Sequence, residues 1–467
     1  MKKILSLTLL ISMISMNFVP ALADTTSSKT QNQPKVFKSM VKKNKSKTND
    51  NYKYNYVNID WWNNFNDPVL TGYINQAIQN NYDLKMATLA VEEYRQATKI
   101  QFASELPTIG AGFSPNYVKT LGTSEWDWVF AAPAYVNYEL DIFLKNRDKT
   151  KSSKKQYEAS QYNERAAYIA IAGAVGTTYL NIVRLDKIIT LQKQIVDIRQ
   201  DIYRLMLLSN KEGLVSTSDT IKANKALVAG QTDLIEFEKQ KEKLLHALAV
   251  LIGESPENAD SLVITNYDSI NFSGVIPEEI ASDIIVQRPD FLKAEAMVEK
   301  AGIDVRVARK EFLPTINLTG IALFNSTEMH GMFSTKTNMI GALAAGAMLP
   351  IFTGGARVAN LKLKKATYER VLQDYYKTNL TAIQEINDAL VSVKHDKEKM
   401  EASLKQFNLE KSDYNLQEKK YNQGVISRLD LIQKEENLLS INKLVAQQNI
   451  ECMVDYIGLY KATGSKL

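Results

Sequence analysis

The residues best placed for chemistry are two carboxylates in matching settings. Gly213-Leu214-Val215-Ser216-Thr217-Ser218-Asp219 recurs as Gly424-Val425-Ile426-Ser427-Arg428-Leu429-Asp430, so each acid follows a serine by three residues and a glycine by six. Ser-x-x-Asp is the spacing of a helix capping box: the serine hydroxyl takes the amide of the third helical residue, and the acid sits where the helix dipole favours negative charge. No nucleophile or base accompanies either acid. The three histidines, His246, His330 and His395, lie far apart, and the single cysteine, Cys452, has no partner for a CxxC. This spacing supports neither a metal centre nor a disulfide framework, and Cys452 reads as a small buried hydrophobe. There is no GxxxxGK phosphate loop. The expectation is a protein that is no enzyme and takes no cofactor. A net charge of +5 spread along 467 residues does not make a nucleic-acid footprint.

The elements that carry these acids are unusually long. No proline occurs between Pro133 and Pro256 or after Pro350, which leaves tracts of 122 and 117 residues without a helix breaker. From Ala356 to Gln423 there is neither Gly nor Pro, enough for one helix of roughly 100 Å at ~1.5 Å per residue. Ile383, Ile386, Leu390, Val393, Met400, Leu404, Phe407, Tyr414, Tyr421 and Val425 keep an alternating spacing of three and four along it, and Ile188, Leu191, Ile195, Ile198, Ile202 and Leu205 do the same in the first tract. That rhythm is a coiled-coil seam. Gly213 and Gly424 then reverse the two helices, and shorter helices return toward Gly253 and Gly464.

The chain is a duplication. Asp83-Leu84, Glu92 and Leu106-Pro107-Thr108-Ile109 recur 207 residues later as Asp290-Phe291, Glu299 and Leu313-Pro314-Thr315-Ile316, whereas the two glycine motifs and the pair Gly253 and Gly464 are offset by 211. Each copy opens with a helical pattern and passes into alternation. Strands are predicted at about 107–119, 126–141, 314–325 and 338–349, with Trp126, Trp128, Phe130, Val136, Tyr138 and Leu140 on one face of the second. Strands of ten or more residues with an apolar, aromatic-rich face suit an outer membrane, and Trp126 and Trp128 suit its aromatic belt. Four such strands cannot close, and an open edge is not tolerated in lipid, so several copies must share one barrel; three give twelve strands.

At the N-terminus, Lys2-Lys3, an apolar run from Ile4 to Val19 and Ala21-Leu22-Ala23 before Asp24 form a secretory signal cleaved after residue 23. Residues 24–57 hold eight Lys against two Asp and read as a flexible basic leader. No later stretch reaches the ~18 apolar residues of a spanning helix, so any membrane crossing is expected to be by strands. The first repeat is placed at 58–257, a linker at 258–276 and the second repeat at 277–467.

Trp61-Trp62-x-x-Phe65-x-Asp67-Pro68-x-Leu70, Asn81-x-Asp83-Leu84, Arg288-Pro289-Asp290 with Ala294-Glu295, and Ala308-Arg309-x-x-Phe312-Leu313-Pro314 together resemble the TolC-like outer membrane factor family, in the branch paired with resistance-nodulation-division pumps. The resemblance runs from about Trp61 onward. It implies a homotrimer: a twelve-stranded barrel in the outer membrane of a Gram-negative bacterium, continued by a periplasmic barrel of twelve helices. The implied function is the passive exit duct of a tripartite efflux pump for drugs and other small toxic compounds, driven by an inner-membrane transporter through a periplasmic adaptor. A type I protein secretion pore shares this fold, and a non-transporting envelope protein is the remaining alternative. Relatives in this branch often carry a lipidated cysteine at the mature N-terminus; Ala23-Asp24 stands there instead.

By motif position the resemblance makes Asp219 and Asp430 the acids of a periplasmic gate and Tyr421 the aromatic that holds it closed. Gly213, Val215, Gly424 and Ile426, at the hairpin turns, would meet the adaptor. A second acid of some relatives is Gln433 here, and an Arg of their lock is Ile426. The gate reading and the capping reading of the two acids are compatible. Both hairpin loops between strands, near residues 121–125 and 326–337, are expected at the cell surface. Trypsin added to intact cells should therefore cut there without permeabilisation, and complete protection would place the strands elsewhere.

Overall fold

The computed structural model describes residues 61–119, 126–274, 282–331, 333 and 339–464. The signal and leader expected at 1–23 and 24–57, and most of the two hairpin loops, lie outside the described residues.

The alternating segments form one antiparallel sheet. Its strands are β1 (Thr108–Ala111), β2 (Ser114–Lys119), β3 (Trp126–Leu140), β4 (Thr315–Ser326) and β5 (Met339–Met348). β1 and β2 both pair with β3, β3 with β4 and β4 with β5, so five strands make four tracks. Where the sequence predicts one strand over 107–119, the ladder is interrupted, and Pro133 is the reason. Gly112 donates its N–H to the Pro133 carbonyl at 2.8 Å, but proline has no N–H to return. Register is unchanged across the gap, from Ala111 opposite Ala134 to Ser114 opposite Ala131. Directly paired residues share a face, so Tyr117 and Trp128 stand side by side, as do Ala134 with Ala322 and Tyr138 with Leu318. Tyr117 lies 5.7 Å from Trp126 and 5.2 Å from Trp128 between ring centres, and Phe130 stacks on Trp128 at 6.1 Å.

The helices repeat residue for residue. After α1 (Pro68–Asn80), α2 (Tyr82–Ala103) and α5 (Pro289–Lys310) are both 22 residues long and offset by 207, as are the outer limits of β1–β2 and those of β4. Beyond the strands, α3 (Lys145–Lys211) and α6 (Ala356–Asn422) have 67 residues each, and α4 (Thr217–Leu251) and α7 (Arg428–Ala462) have 35, all offset by 211. The four-residue drift therefore falls in the loop between strands, where insertion costs least. Equivalent side chains also do equivalent work. Asn81 donates to the carbonyl of Leu251 at 2.9 Å, and its counterpart Arg288 donates to that of Ala462 at 2.5 Å, each closing the C-terminus of a returning helix. Arg288 is buried and is neutralised by Asp290 at 2.6 Å and Glu385 at 2.5 Å.

The core lies where the N-terminal segment crosses α3 and α7. The short 3-10 helix Trp61–Phe65 drives Trp61, Trp62 and Phe65 into it, with Trp61 stacked 5.8 Å from Tyr460. Gly176 makes room: a β-carbon there would come within 2.8 Å of the Trp61 ring. Asp67 caps α1 by accepting from the amides of Val69 at 2.8 Å and Leu70 at 3.3 Å, and also accepts from the hydroxyls of Tyr179 at 2.8 Å and Thr265 at 3.0 Å. The motif at 61–67 is thus a structural clasp.

Two sequence readings need correction. One 18-residue window of α3 is apolar enough to span a membrane, with a mean hydropathy of 1.5, but 56% of it is buried inside the molecule, as in a core helix. The second coiled-coil stripe is also less buried than its regularity implies. Ile188, Leu191, Ile195 and Ile198 are buried on α3, whereas on α6 Ile386 and Val393 are buried but Ile383 and Leu404 are exposed, as is Val425 in the turn beyond it. α3 is packed on both flanks, by α4 on one side and α7 on the other, while α6 touches α5 and α7 on one flank alone.

Replacing Trp61 with alanine removes the clasp's largest side chain and should cost about 3–5 kcal/mol. Thermal unfolding of the purified protein should show the drop, and Gly176→Leu should reproduce it by expelling the ring. An unchanged transition in Trp61→Ala would show that the clasp is dispensable.

Candidate functional site

Each helical hairpin ends in the same self-contained turn. At the first tip Gly213 takes φ +71°, the left-handed conformation that glycine adopts without penalty; at the second, Gly424 takes φ +73°. The Leu214 amide reaches back to the Ser209 carbonyl at 2.8 Å and the Val425 amide to that of Lys420 at 2.9 Å, so the turns satisfy the last carbonyls of α3 and α6. Asn210 adds a side-chain bond from its amide to the Val215 carbonyl at 2.9 Å.

The returning helices begin on the two serines. Ser427 Oγ accepts from the Asp430 amide at 3.1 Å and donates to Asp430 Oδ2 at 2.7 Å, while the Ser427 amide also reaches that carboxylate at 3.1 Å. The box is reciprocal and complete. At the first tip the Asp219 amide donates to Ser216 Oγ at 3.2 Å, Ser216 Oγ donates to Asp219 Oδ2 at 2.7 Å, and Lys222 pairs with the carboxylate at 3.1 Å. Asp430 is exposed and Asp219 half-exposed. The Ser216 hydroxyl and then Lys222 hold Asp219 below the usual carboxylate range, and the Ser427 hydroxyl and amide do the same for Asp430.

Tyr421 lies one residue inside the end of α6, half-buried, and the Gly424 amide donates to its carbonyl at 2.9 Å. The Arg428 guanidinium lies 6.0 Å from the centre of its ring, a cation-π contact within one tip. Where the resemblance implied an arginine, Ile426 stands; the arginine that reaches the tyrosine, Arg428, is the first residue of α7 and meets it across the turn. Val215 and Ile426 are half-buried against their own turns, and the apolar residues that project are Leu214 and Val425, 77% and 67% exposed. Trp126 and Trp128 stand at the other end of the molecule, half-exposed on the face they share with Tyr117.

Behind the tips, two polar bridges tie the hairpins together. Arg199 on α3 donates to Glu436 on α7 and to the Ala226 carbonyl on α4, both at 2.8 Å. Gln192 donates to the Gly230 carbonyl at 2.9 Å and accepts from Lys443 at 2.6 Å. Cys452, on α7, is buried as the sequence predicts, and burial, together with the nearby Asp455, pushes its thiol up to about 11.

Because the Asp430 carboxyl is held low when folded, it stabilises the tip above the ordinary aspartate range, and that contribution is lost as pH falls through the lowered value. Ser427→Ala removes the main cause. The variant should be about 1 kcal/mol less stable at neutral pH, with a shallower loss of stability below about pH 4. Melting temperatures across pH 3 to 7 would show both effects, and coincident curves would deny the serine its role.

Residues 73–254 and 280–465 each match the family model described as outer membrane efflux protein. The chain is 27% identical over 412 residues to the probable efflux pump outer membrane protein TtgC of Pseudomonas putida, covering 86% of this chain and 84% of that one. It is 25% identical over 417 residues to the cation efflux system protein CusC of Escherichia coli, covering 88% and 89%. The Campylobacter jejuni outer membrane channel CmeC superposes with a TM-score of 0.79 at 25% identity, over 87% of this chain and 88% of that one. The superposition extends over 87% of this chain, the family model matches it twice, once in each copy of the duplicated unit, and the chain belongs to the outer membrane efflux protein family.

Proposed function

We propose that this protein is the trimeric exit duct of a tripartite pump that expels drugs and other small toxic compounds. In this reading three copies close a twelve-stranded barrel in the outer membrane, and the hairpins hang into the periplasm to meet an adaptor coupled to a resistance-nodulation-division transporter. The observation that carries the reading is the sheet: β3 alone has 15 residues, the strands present a continuous apolar face, and both edges of the sheet are open. In the same reading the signal is cleaved after residue 23, where Ala23-Asp24 offers no thiol for a lipid.

The tips form the periplasmic mouth. Threefold symmetry repeats Asp219 and Asp430 around it, and a ring of carboxylates at a narrow mouth concentrates negative potential and favours cations. Capping does not consume the acids, because a carboxylate accepts several hydrogen bonds at once. The Tyr421 and Arg428 contact holds the closed form, and the projecting Leu214 and Val425 join the glycine turns in meeting the adaptor.

Deletion of the gene should raise susceptibility to antibiotics, bile salts and dyes and leave the secretome unchanged; the reverse pattern would favour protein secretion. In planar bilayers Asp430→Ala should enlarge the conducting state and weaken block by cations. Unchanged conductance and block would remove Asp430 from the mouth.

A further inference from the structure

Four helix ends meet the sheet: the last ten residues of α2 (94–103) and α5 (301–310) and the first ten of α3 (145–154) and α6 (356–365). Together they hold fourteen Lys and Arg against two acids, Asp148 and Asp304, in a chain whose net charge is only +5. Cross-helix bonds keep the four ends level: Thr98 with Ser153 at 3.1 Å, Arg306 with Asp148 at 3.5 Å, and Asn360 with Glu311 at 2.9 Å. Ion pairs occupy some of the cations, as Lys145 with Glu139, Lys310 with Asp148 and Arg95 with Glu92. Lys99, Arg147, Lys154, Arg309, Lys362 and Lys365 are exposed and make no ion pair among the described residues. Ten residues of helix are ~15 Å long, so these like charges are crowded into one band, which an anion would relieve.

The side of the wall that carries the band can be read on α3. Glu139 stands on the polar face of β3 with Asn137 and Asp141, and Lys145 reaches it at 2.6 Å. Arg147, Lys151 and Lys154 recur at intervals of four and three on the other side of the helix. Six turns on, the same stripe reaches Gly176, where the Trp61 ring of the clasp lies. These cations therefore lie beneath the apolar face of the sheet. Between them and the strands stand exposed apolar residues, among them Phe102, Ile142 and Phe143, and Ile351 and Phe352 at 86% and 88% exposure. Trp128 to Leu140 is ~40 Å of strand at ~3.3 Å per residue, or ~30 Å along the normal at a tilt of ~40°, which is the thickness of a hydrocarbon layer. With the tryptophans at one headgroup level, the cations fall at the other.

We propose that this band is a docking surface for anionic phospholipid headgroups of the periplasmic leaflet, with the apolar rim among the acyl chains and Arg147, Lys151 and Lys154 on the phosphates. Basic side chains below an apolar, aromatic boundary suit an anionic lipid surface, because their stems lie along apolar groups while their charges meet the phosphates. A zwitterionic headgroup carries no net charge and gains little from the band. A neighbouring copy is not the occupant, since rotation about the barrel axis brings an identical positive band to the same level. The inference rests on the outer membrane barrel proposed above and adds the class of lipid that seats it.

The full chain, purified in a non-ionic detergent, is titrated with phosphatidylglycerol or phosphatidylcholine, and bound lipid is counted by native mass spectrometry. Phosphatidylglycerol should bind in preference. Each Lys or Arg near an anionic surface is worth roughly a fivefold change in affinity, so Arg147→Gln, Lys151→Gln and Lys154→Gln together should weaken its binding about a hundredfold. Lys225→Gln, Lys405→Gln and Lys411→Gln, three exposed cations of the distal hairpins, should together leave it unchanged. Equal binding of the two lipids, or a preference that survives the first triple variant, would overturn the proposal. Inorganic phosphate that displaces the lipid at equal concentration would assign the band to a free ion and overturn it as well. Should the first triple variant lose its helical circular dichroism, Lys362→Gln with Lys365→Gln carries the same decision. The membrane reading is tested apart from this by trypsin on intact cells: surface loops that are cut, in a protein without lipid preference, would sink the docking surface alone.

Discussion

The backbone of a strand in hydrocarbon has no water to turn to, so each N–H and C=O must find a partner within the protein. That constraint governs this chain because, among the described residues, its sheet ends in two unpaired edges, along β1 and β2 on one side and β5 on the other. A four-track sheet is too small to close on itself, and the missing partners can be supplied by the opposite edges of other copies. The helices continue the same arrangement below the sheet. α6 extends the β5 edge and, in the distal half, α4 extends the opposite one, each with a bare apolar stripe where its neighbour would lie. One requirement, closure by repetition, therefore accounts for an open sheet and for two unevenly buried coiled coils.

Duplication supplies the parts but leaves the copies unequal in a useful way. Helix lengths match to the residue, and Asn81 and Arg288 hold equivalent carbonyls, yet the bridges between hairpins come from unlike residues. Arg199 and Gln192 on α3 reach across to Glu436 and Lys443 on α7, whereas the positions 211 residues later, Glu410 and Ser403, make no such span among the described bonds. α3 is consequently the interior helix of the distal hairpins and α6 the outer one. Two identical halves would present two similar flanks; this pair presents unlike ones, which favours head-to-tail closure over a twofold dimer.

Much of this architecture is legible in the sequence because it is periodic. Missing prolines, a three-four apolar rhythm and offsets of 207 and 211 locate the long helices and the repeat, and strict alternation locates β3. What escapes is whatever depends on a partner distant in sequence. The break between β1 and β2 is caused by Pro133 on the neighbouring strand, and nothing within residues 108–119 announces it. Leu144 takes a left-handed conformation, φ +58°, at the turn from strand to helix where the second copy has Gly355, so the residue type conceals the geometry. The spacing of the α6 stripe could not tell burial within the chain from burial between chains. At the tips, Ser216, Asp219, Ser427 and Asp430 are legible as caps because capping is local, whereas the Arg428 contact with Tyr421 requires knowing that the turn folds one over the other.

The self-sufficiency of the tips bears on how a mouth built from them would move. Every turn bond, from the Leu214 and Val425 amides to the two serine caps, begins and ends within one hairpin. Displacing one hairpin against the other therefore exposes no helix end and breaks no backbone bond. What resists is the packing of α3 on α7 together with the pair of polar bridges behind the tips, of which the Arg199 and Glu436 ion pair is about one-fifth exposed at each side chain. Partly solvated ion pairs contribute on the order of 1 kcal/mol. Unfolding the tip of a 67-residue helix would forfeit far more, since each lost turn gives up several backbone bonds together with seam packing. The least costly deformation of this rod is a swing of intact hairpins about the bridges. A coiled coil with local caps and a few polar cross-ties is a structure in which that swing can be opposed weakly and tuned by single side chains.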